Sequence, residues 1–214
     1  MCNNLAPETK QKGFIDQLQC REVRMLAQAV FGPALIQILA ITTSTDQQRV
    51  ATAPRAEAAQ PANQPVFTLN ATYKKWLIAL DQAPESLINF LASSQRLKLG
   101  VYHERLWQYF LTHSHETELI SANLKARHNG QDLGEFDLIY QHHKLGLVHC
   151  EIASKYYLAD GLNDSAWEHW HGPGKSDRLD VKLHHSINKQ LNLADHPAAL
   201  ATLESALTHQ QKKL

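Results

Sequence analysis

The chain has 214 residues, 43% hydrophobic and 20% charged, which suits one globular domain with a small appended lobe. Its 21 basic and 21 acidic side chains cancel, so the composition gives no strong generic attraction to nucleic acid or anionic membranes, although a local basic patch is compatible with it. The three cysteines form no CxxC pair, the N-terminus has no apolar signal-peptide core, and the longest apolar run, ALIQILAI, is too short to cross a membrane. We therefore expect a soluble cytoplasmic protein with reduced thiols and no membrane partner.

Residues 1–94 are predicted to form an N-terminal helical region. Apolar spacing predicts a helix over Asp16–Leu39 that is interrupted at the FGP sequence of Phe31–Pro33. The segment Thr42–Pro65 is rich in Ala, Gln, Thr and Pro, which predicts a flexible loop. The sequence TYKKWLIALDQAPESLINFLASS then predicts two short helices that are separated near Pro84.

Residues 95–214 are predicted to form an α/β core with C-terminal helices, packed with the first region as one compact unit. A helix is expected over Leu97–His113, where Leu99, Tyr102, Leu106 and Phe110 fall on one stripe. The hydrophobic period then changes to alternation in ETELISANLKAR, LGEFDLIY and LGLVHCEIASKYYL, which predicts three antiparallel strands. A helix with a serine or aspartate cap is predicted over Ser176–Leu193, and DHPAALATLESALTHQQKKL predicts a last helix.

Acidic side chains occupy the second and third strands, where acids are uncommon. The short connection QHHKLG predicts a hairpin centred on Lys144, in which paired residues have numbers that sum to twice 144. Asp137 then lies opposite Glu151, and Lys155 lies further along the same face. Two like charges so placed are destabilising, so a compensating cation is expected, either Lys155 or a divalent metal ion held by the carboxylates. The alternative is an ordinary wet face of a sheet with a cross-strand ion pair.

This arrangement, with a preceding helix that contains Glu104, resembles the PD-(D/E)XK nuclease-like superfamily over roughly Leu97–Leu191. More narrowly, CREVRMLAQAVFGPALI, LGVYHERLWQYFL, LGEFDLIY, HCEIASKYYL and GPGKSDRLDVKLHHSINKQL together look like a bacterial family called domain of unknown function eighteen fifty-three. The resemblance implies an α/β fold with a PD-(D/E)XK-like core, made of a helix, a three-stranded antiparallel meander and a helix, to which an N-terminal helical region is added. It brings no established activity.

Carried over by residue, the resemblance implies that Asp137 and Glu151 hold Mg²⁺ or Mn²⁺, that Glu104 is an accessory metal carboxylate, and that Lys155 is the catalytic lysine. The superfamily usually has its lysine two residues after the second acid, where this chain has Ala153. Lys155 lies one strand repeat further on, about 6.6 Å along the backbone.

A basic stripe is predicted on the helix after the meander. Arg178, Lys182, His185 and Lys189 share one face, which would either follow a nucleic-acid phosphate backbone or be an ordinary solvated surface. Lys182 or Gln190 is also a candidate substitute for the lysine that is absent at position 153.

Histidines and tryptophans supply the other candidates. His149 shares the acidic face and is a possible ligand, a general base or an ordinary strand histidine, and the other histidines lack zinc-site spacing. Trp167 and Trp170 are candidates for base stacking or for closing the core. The sequence contains no P-loop, GxSxG or GxGxxG motif, which disfavours P-loop, hydrolase-elbow and Rossmann chemistry.

The sequence thus predicts a metal-dependent nuclease or related phosphodiesterase acting on nucleic acid. A catalytically inactive nuclease-like module, kept for protein interaction or nucleic-acid binding, is the alternative, and Ala153 and the neutral charge favour it. A zinc hydrolase built from histidines is a third hypothesis.

Overall fold

A computed structural model describes residues 13–32, 40–42, 66–92, 98–159 and 166–211. These residues cluster into two compact units, one ending at His113 and one beginning at Ser114 that also includes strand β1. The helix Leu99–His113, which was predicted as part of the α/β core, belongs to the unit of the N-terminal helices. The loop predicted over Thr42–Pro65 lies outside the described residues, except for Thr42 at the end of β1.

In the part of the first unit that the structure describes, the main helices are α1 (Arg21–Phe31), α2 (Ala71–Gln82), α3 (Glu85–Ala92) and α4 (Leu99–His113). Helix α1 ends at Phe31 as the FGP sequence predicts, because Gly32 has extended backbone. Its predicted continuation towards Leu39 lies outside the described residues. The break near Pro84 is confirmed, and the Asn70 side chain caps α2 by accepting the N–H of Tyr73 at 2.9 Å.

An aromatic cluster forms the core of this unit. Phe110 is fully buried and its ring contacts those of Phe31, Phe67 and Tyr73 at centroid distances of 5.6, 4.8 and 5.5 Å. The apolar stripe predicted on α4 is correct only in its second half, since Leu99 is 42% exposed. Helix α4 therefore enters the core from Leu106 onward.

The second unit contains a four-stranded antiparallel sheet in the order β1-β4-β3-β2. Its strands are β1 (Ala40–Thr42), β2 (Thr117–His128), β3 (Gln131–His142) and β4 (Gly146–Cys150). A two-stranded sheet pairs β5 (Leu158–Ala159) with β6 (Trp170–His171). The α5 helix (Leu179–His185) continues as a π-helix (Ser186–Gln190), and α6 (Pro197–Gln211) follows. The predicted α/β class with an antiparallel meander is therefore confirmed.

The two hairpin turns agree with the sequence. Asn129 and Gly130 have φ angles of 51° and 79°, the left-handed values that a tight Asn-Gly hairpin turn requires. Between β3 and β4, Leu138 pairs with Cys150 and Tyr140 with Val148, so the predicted register around Lys144 is confirmed.

The third strand of the meander is shorter than predicted. β4 ends at Cys150, and residues 151–157 belong to no strand, so Glu151, Ala153 and Lys155 lie beyond its end. The reason is local: the N–H of Ile152 donates to the Asp137 carboxylate at 2.9 Å instead of extending the strand ladder.

The strict alternation predicted for β3 is interrupted at Asp137. Phe136 and Ile139, three residues apart, belong to the same buried cluster, whereas alternation would send them to opposite faces. Asn123 of β2, which lies between the pairs Ala122–Leu138 and Leu124–Phe136, has a left-handed φ of 53°. This conformation accounts for the irregularity, and asparagine adopts it more readily than most residues.

One face of the sheet packs against the C-terminal residues. Its cluster consists of Ala126, Phe136, Ile139, Leu147, Leu193, Ala199 and Leu203.

The helix after the meander, α5, starts later than predicted. It begins at Leu179, and its N-cap residue Arg178 makes no side-chain cap. None of the helices in the described parts of the chain is long and apolar enough to cross a membrane.

Candidate metal centre

Asp137 and Glu151 meet where β3 leaves its pairing with β4. The Asp137 carboxylate accepts the N–H of Ile152 through Oδ2 at 2.9 Å, and Glu151 Oε1 lies 3.4 Å from the N–H of Asp137. Each acid therefore accepts a hydrogen bond from the chain segment of the other. The structure brings together the two carboxylates that the sequence placed opposite each other.

Glu151 is the buried member of the pair, with a side chain only 7% exposed. Its Oε1 atom also contacts the ring of His149 at 2.7 Å, and its Oε2 atom accepts the side-chain amide of Gln190 at 2.7 Å. Among the described residues, no lysine or arginine contacts this carboxylate. A buried carboxylate that no lysine or arginine contacts is costly, because burial removes its hydration.

His149 is the ring that faces this carboxylate, as its place on the acidic face predicts. It is 2% exposed and packs edge-on against Phe136, with the ring centroids 4.9 Å apart. An ionised carboxylate only accepts hydrogen bonds, so Nε2 is the donor to Glu151. Within the described chain the other ring nitrogen, Nδ1, is buried without a hydrogen-bond partner.

The negative charge of the two acids also affects the pKa of the Cys150 thiol. Burial raises its pKa to about 12, and the carboxylates of Glu151 and then Asp137 contribute in the same direction. Both carboxylates therefore act in the same direction on this neutral thiol.

Gln190 joins the acid pair to the helix after the meander. Its Nε2 donates to Glu151, and its Oε1 accepts from Lys182 Nζ at 3.0 Å and from Ser186 Oγ at 2.8 Å. The sequence indicated Lys182 and Gln190 as substitutes for the absent lysine, but Ser186 was missed. The sequence signal that could have identified Ser186 is the four-residue spacing from Lys182 to Ser186 and from Ser186 to Gln190.

Lys155 pairs with another acid, Asp177, which lies outside the predicted site. Its Nζ forms a close ion pair with Asp177, and this hydrogen bond is the largest cause that raises the pKa of the lysine. The pair is accessible, with side chains 43% and 37% exposed, and Ala153 is exposed as well. The structure thus places neither position 153 nor Lys155 in contact with Glu151.

Three further residues were predicted for the site: Glu104, Arg178 and Lys189. Glu104 lies half-buried on α4, in the first unit, and its role as an accessory ligand stays a prediction. Arg178 pairs with Asp180 through two hydrogen bonds, and Lys189 is exposed on the π-helix. The basic stripe is therefore divided, since Lys182 turns to Gln190 while Arg178 is neutralised by its neighbour.

The donor set fits a hard divalent cation in part. Mg²⁺ is usually bound by one or two carboxylates together with waters and phosphate oxygens, which Asp137 and Glu151 can satisfy. No group of three or more His, Cys, Asp or Glu side chains in the described ranges is placed to hold a metal. A cation here would accordingly take its other ligands from solvent or substrate, and the described histidines form no zinc site.

The family of the chain follows from its match to a known family model. The family model described as Domain of unknown function (DUF1853) matches residues 24–213. The chain belongs to the DUF1853 family. The match includes the acid pair, the meander and the C-terminal helices, so the candidate site lies within the DUF1853 domain. No curated protein and no solved structure matches the chain.

Proposed function

We propose that this DUF1853 protein is a Mg²⁺- or Mn²⁺-dependent nuclease or related phosphodiesterase on a PD-(D/E)XK-like core. Asp137 and Glu151 would hold the cation. One observation supports this most: the buried Glu151 carboxylate, which no lysine or arginine contacts among the described residues, lies beside a second carboxylate, that of Asp137. Such a pair needs positive charge, and a divalent cation would provide it.

The protein's own contribution is to orient the two carboxylates. Backbone N–H groups hold one oxygen of each acid, and His149 and Gln190 hold Glu151 from two further directions. Hydrogen bonds of this kind fix the direction of metal-binding carboxylates. When bound, the cation would polarise a phosphate oxygen and lower the pKa of a coordinated water.

Nucleic acid is the proposed partner, and the cytoplasm is the proposed location. Phosphodiesters are the substrates that a carboxylate-held divalent cation suits. Of the basic residues predicted on the helix after the meander, Arg178 and the exposed Lys189 would contact the backbone phosphates.

The second candidate is a nuclease-like module that has lost catalysis and binds a protein or nucleic acid. The observation that favours it is the exposed Ala153 together with the engagement of Lys155 by Asp177. The two functions differ on metal, because a binding module needs no cation between Asp137 and Glu151.

Calorimetric titration with Mn²⁺ tests the proposal without a guess about substrate. The variants are Asp137→Asn and Glu151→Gln, which keep the shape of each side chain. Glu135→Gln is the matched control, since Glu135 lies on the same strand and faces Lys125 at 4.0 Å. The proposal expects binding to wild type and to the control, and loss of binding in both site variants with unchanged circular dichroism.

Binding that is equal in all four proteins would contradict the two-carboxylate site and favour the binding module. If binding follows the site, Mn²⁺-dependent cleavage of single- and double-stranded DNA and RNA is the next assay. If the protein binds Mn²⁺ between the acids but cleaves none of these substrates, the result would support the metal site and contradict the nuclease activity.

A further inference from the structure

The orientation of the Gln190 side chain follows from its partners. An ammonium group can only donate and an ionised carboxylate can only accept. The Gln190 amide must therefore direct its NH₂ group to Glu151 and its oxygen to Lys182. Ser186 donates to the same oxygen, so the amide is held from both ends.

The π-helix places these residues on one face. In an α-helix, residues four apart are rotated by about 40° and residues eight apart by about 80°. The wider π turn, in which the N–H of Leu191 donates to the Ser186 carbonyl at 2.9 Å, offsets part of this rotation. Gln190 therefore lies in line with Lys182 and Ser186. Single π turns within helices occur frequently at functional sites.

We propose that Gln190 is a positioning residue that couples the Glu151 carboxylate to the Lys182 ammonium, which makes Lys182 rather than Lys155 the cationic side chain of this site. Lys155 is occupied by Asp177, while the contacts of Lys182 lead through one amide to the buried acid. The coupling does not depend on any activity. Its meaning for phosphate chemistry rests on the proposed function.

Double-mutant cycles test the coupling by urea unfolding. One cycle combines Lys182→Met with Glu151→Gln, and it is repeated in a Gln190→Leu background. We expect the shift in unfolding midpoint caused by Lys182→Met to be smaller when Glu151 is already replaced, and to become independent of Glu151 in the Gln190→Leu background. Lys182→Arg should preserve the coupling.

Two matched lysines serve as controls. Lys155→Met and the exposed Lys144→Met remove the same charge, and each should be additive with Glu151→Gln. Additivity of Lys182→Met with Glu151→Gln, or coupling of Lys155 to Glu151, would overturn the proposal. If Glu151→Gln does not fold, the side-chain amide resonance of Gln190 decides: it should move in Lys182→Met and not in Lys144→Met, and an unmoved resonance in Lys182→Met would overturn the proposal.

Mn²⁺ binding provides the readout that separates this proposal from the proposed function. Loss of a hydrogen-bond partner that orients a metal ligand typically costs about 10- to 100-fold in affinity, so Gln190→Leu should weaken Mn²⁺ binding by about tenfold or more. Lys144→Met, which removes an exposed lysine of the β3–β4 turn, should leave it unchanged. Unchanged affinity in Gln190→Leu would contradict a positioning role. A wild-type protein that binds no Mn²⁺ would overturn the proposed function alone, and the unfolding cycles would then decide the coupling.

Discussion

Asp137 and Glu151 each accept a backbone N–H from the segment of the other: Ile152 donates its N–H to Asp137, and Asp137 donates its own N–H to Glu151. This exchange accounts for two features at once. It ends the β3–β4 ladder at Cys150, because the N–H that would continue it is used by a carboxylate. It also fixes both acids in the same place, one of them buried.

Gly134 is predicted to be intolerant of a side chain. Its φ is +152°, which L-residues rarely adopt, and an added Cβ would lie 3.2 Å from both Leu193 methyl carbons. We expect Gly134→Ala to lower the free energy of unfolding by about 1–3 kcal/mol, measured by urea unfolding. The control is Gly100→Ala in α4, which has open space around it and should stabilise by about 0.5–1 kcal/mol. Equal stability of Gly134→Ala and wild type would contradict this account.

His142 is predicted to make stability pH-dependent. Its Nδ1 accepts the N–H groups of Lys144 at 3.1 Å and Leu145 at 3.3 Å, which requires an unprotonated nitrogen. Burial is the largest cause that lowers the pKa of this histidine below its usual 6.5. The unfolded chain therefore binds the proton first, so the contribution is complete above about pH 6.5 and is lost as pH falls towards the lower pKa of the folded state.

The measurement for His142 is urea unfolding at several pH values between about 7.5 and 5. His142→Asn keeps an acceptor at the place of Nδ1 but does not titrate, so it should flatten the pH dependence. His143→Asn, at the exposed neighbour, should not. The same slope in His142→Asn as in wild type would show that another group is responsible.

Cys150 is predicted to be inert in the folded protein. The thiolate is the reactive form, and burial with the nearby Glu151 and Asp137 raises the pKa of this thiol to about 12. We expect iodoacetamide at mildly alkaline pH to modify the half-buried Cys20 well before Cys150, and Cys150 only after denaturation. Peptide mass spectrometry of native and denatured samples measures this. Rapid native labelling of Cys150 would contradict the burial of the site.

The hairpin that contains the acids was predictable because two simple signals agree. A short connection fixed the turn around Lys144, and apolar alternation fixed which residues face each other, so the pairing of Leu138 with Cys150 followed. The end of β4 was not predictable in the same way. Alternation continues through EIASKYY, but it does not report whether the chain still has a partner strand.

The predicted strand placement of Lys155 was wrong because the end of β4 was not predictable. Alternation assigned it to the acidic face, yet it follows the last paired residue and contacts Asp177, 22 residues further along the chain. The link between Gln190 and Glu151 was hidden for another reason. The four-residue spacing of Lys182, Ser186 and Gln190 is visible in the sequence, but at 3.6 residues per turn it drifts by about 40° per step, and it does not anticipate the π-helix that offsets this drift.

The most direct test of the central claim is where Mn²⁺ binds, read from paramagnetic broadening of backbone amide resonances in a ¹⁵N-labelled sample. The amides of Asp137 and Ile152 donate into the two carboxylates and should broaden first on addition of Mn²⁺. The Asp137→Asn variant should lose this broadening while its spectrum stays folded. Broadening that begins elsewhere and leaves both amides sharp would contradict a metal site between Asp137 and Glu151.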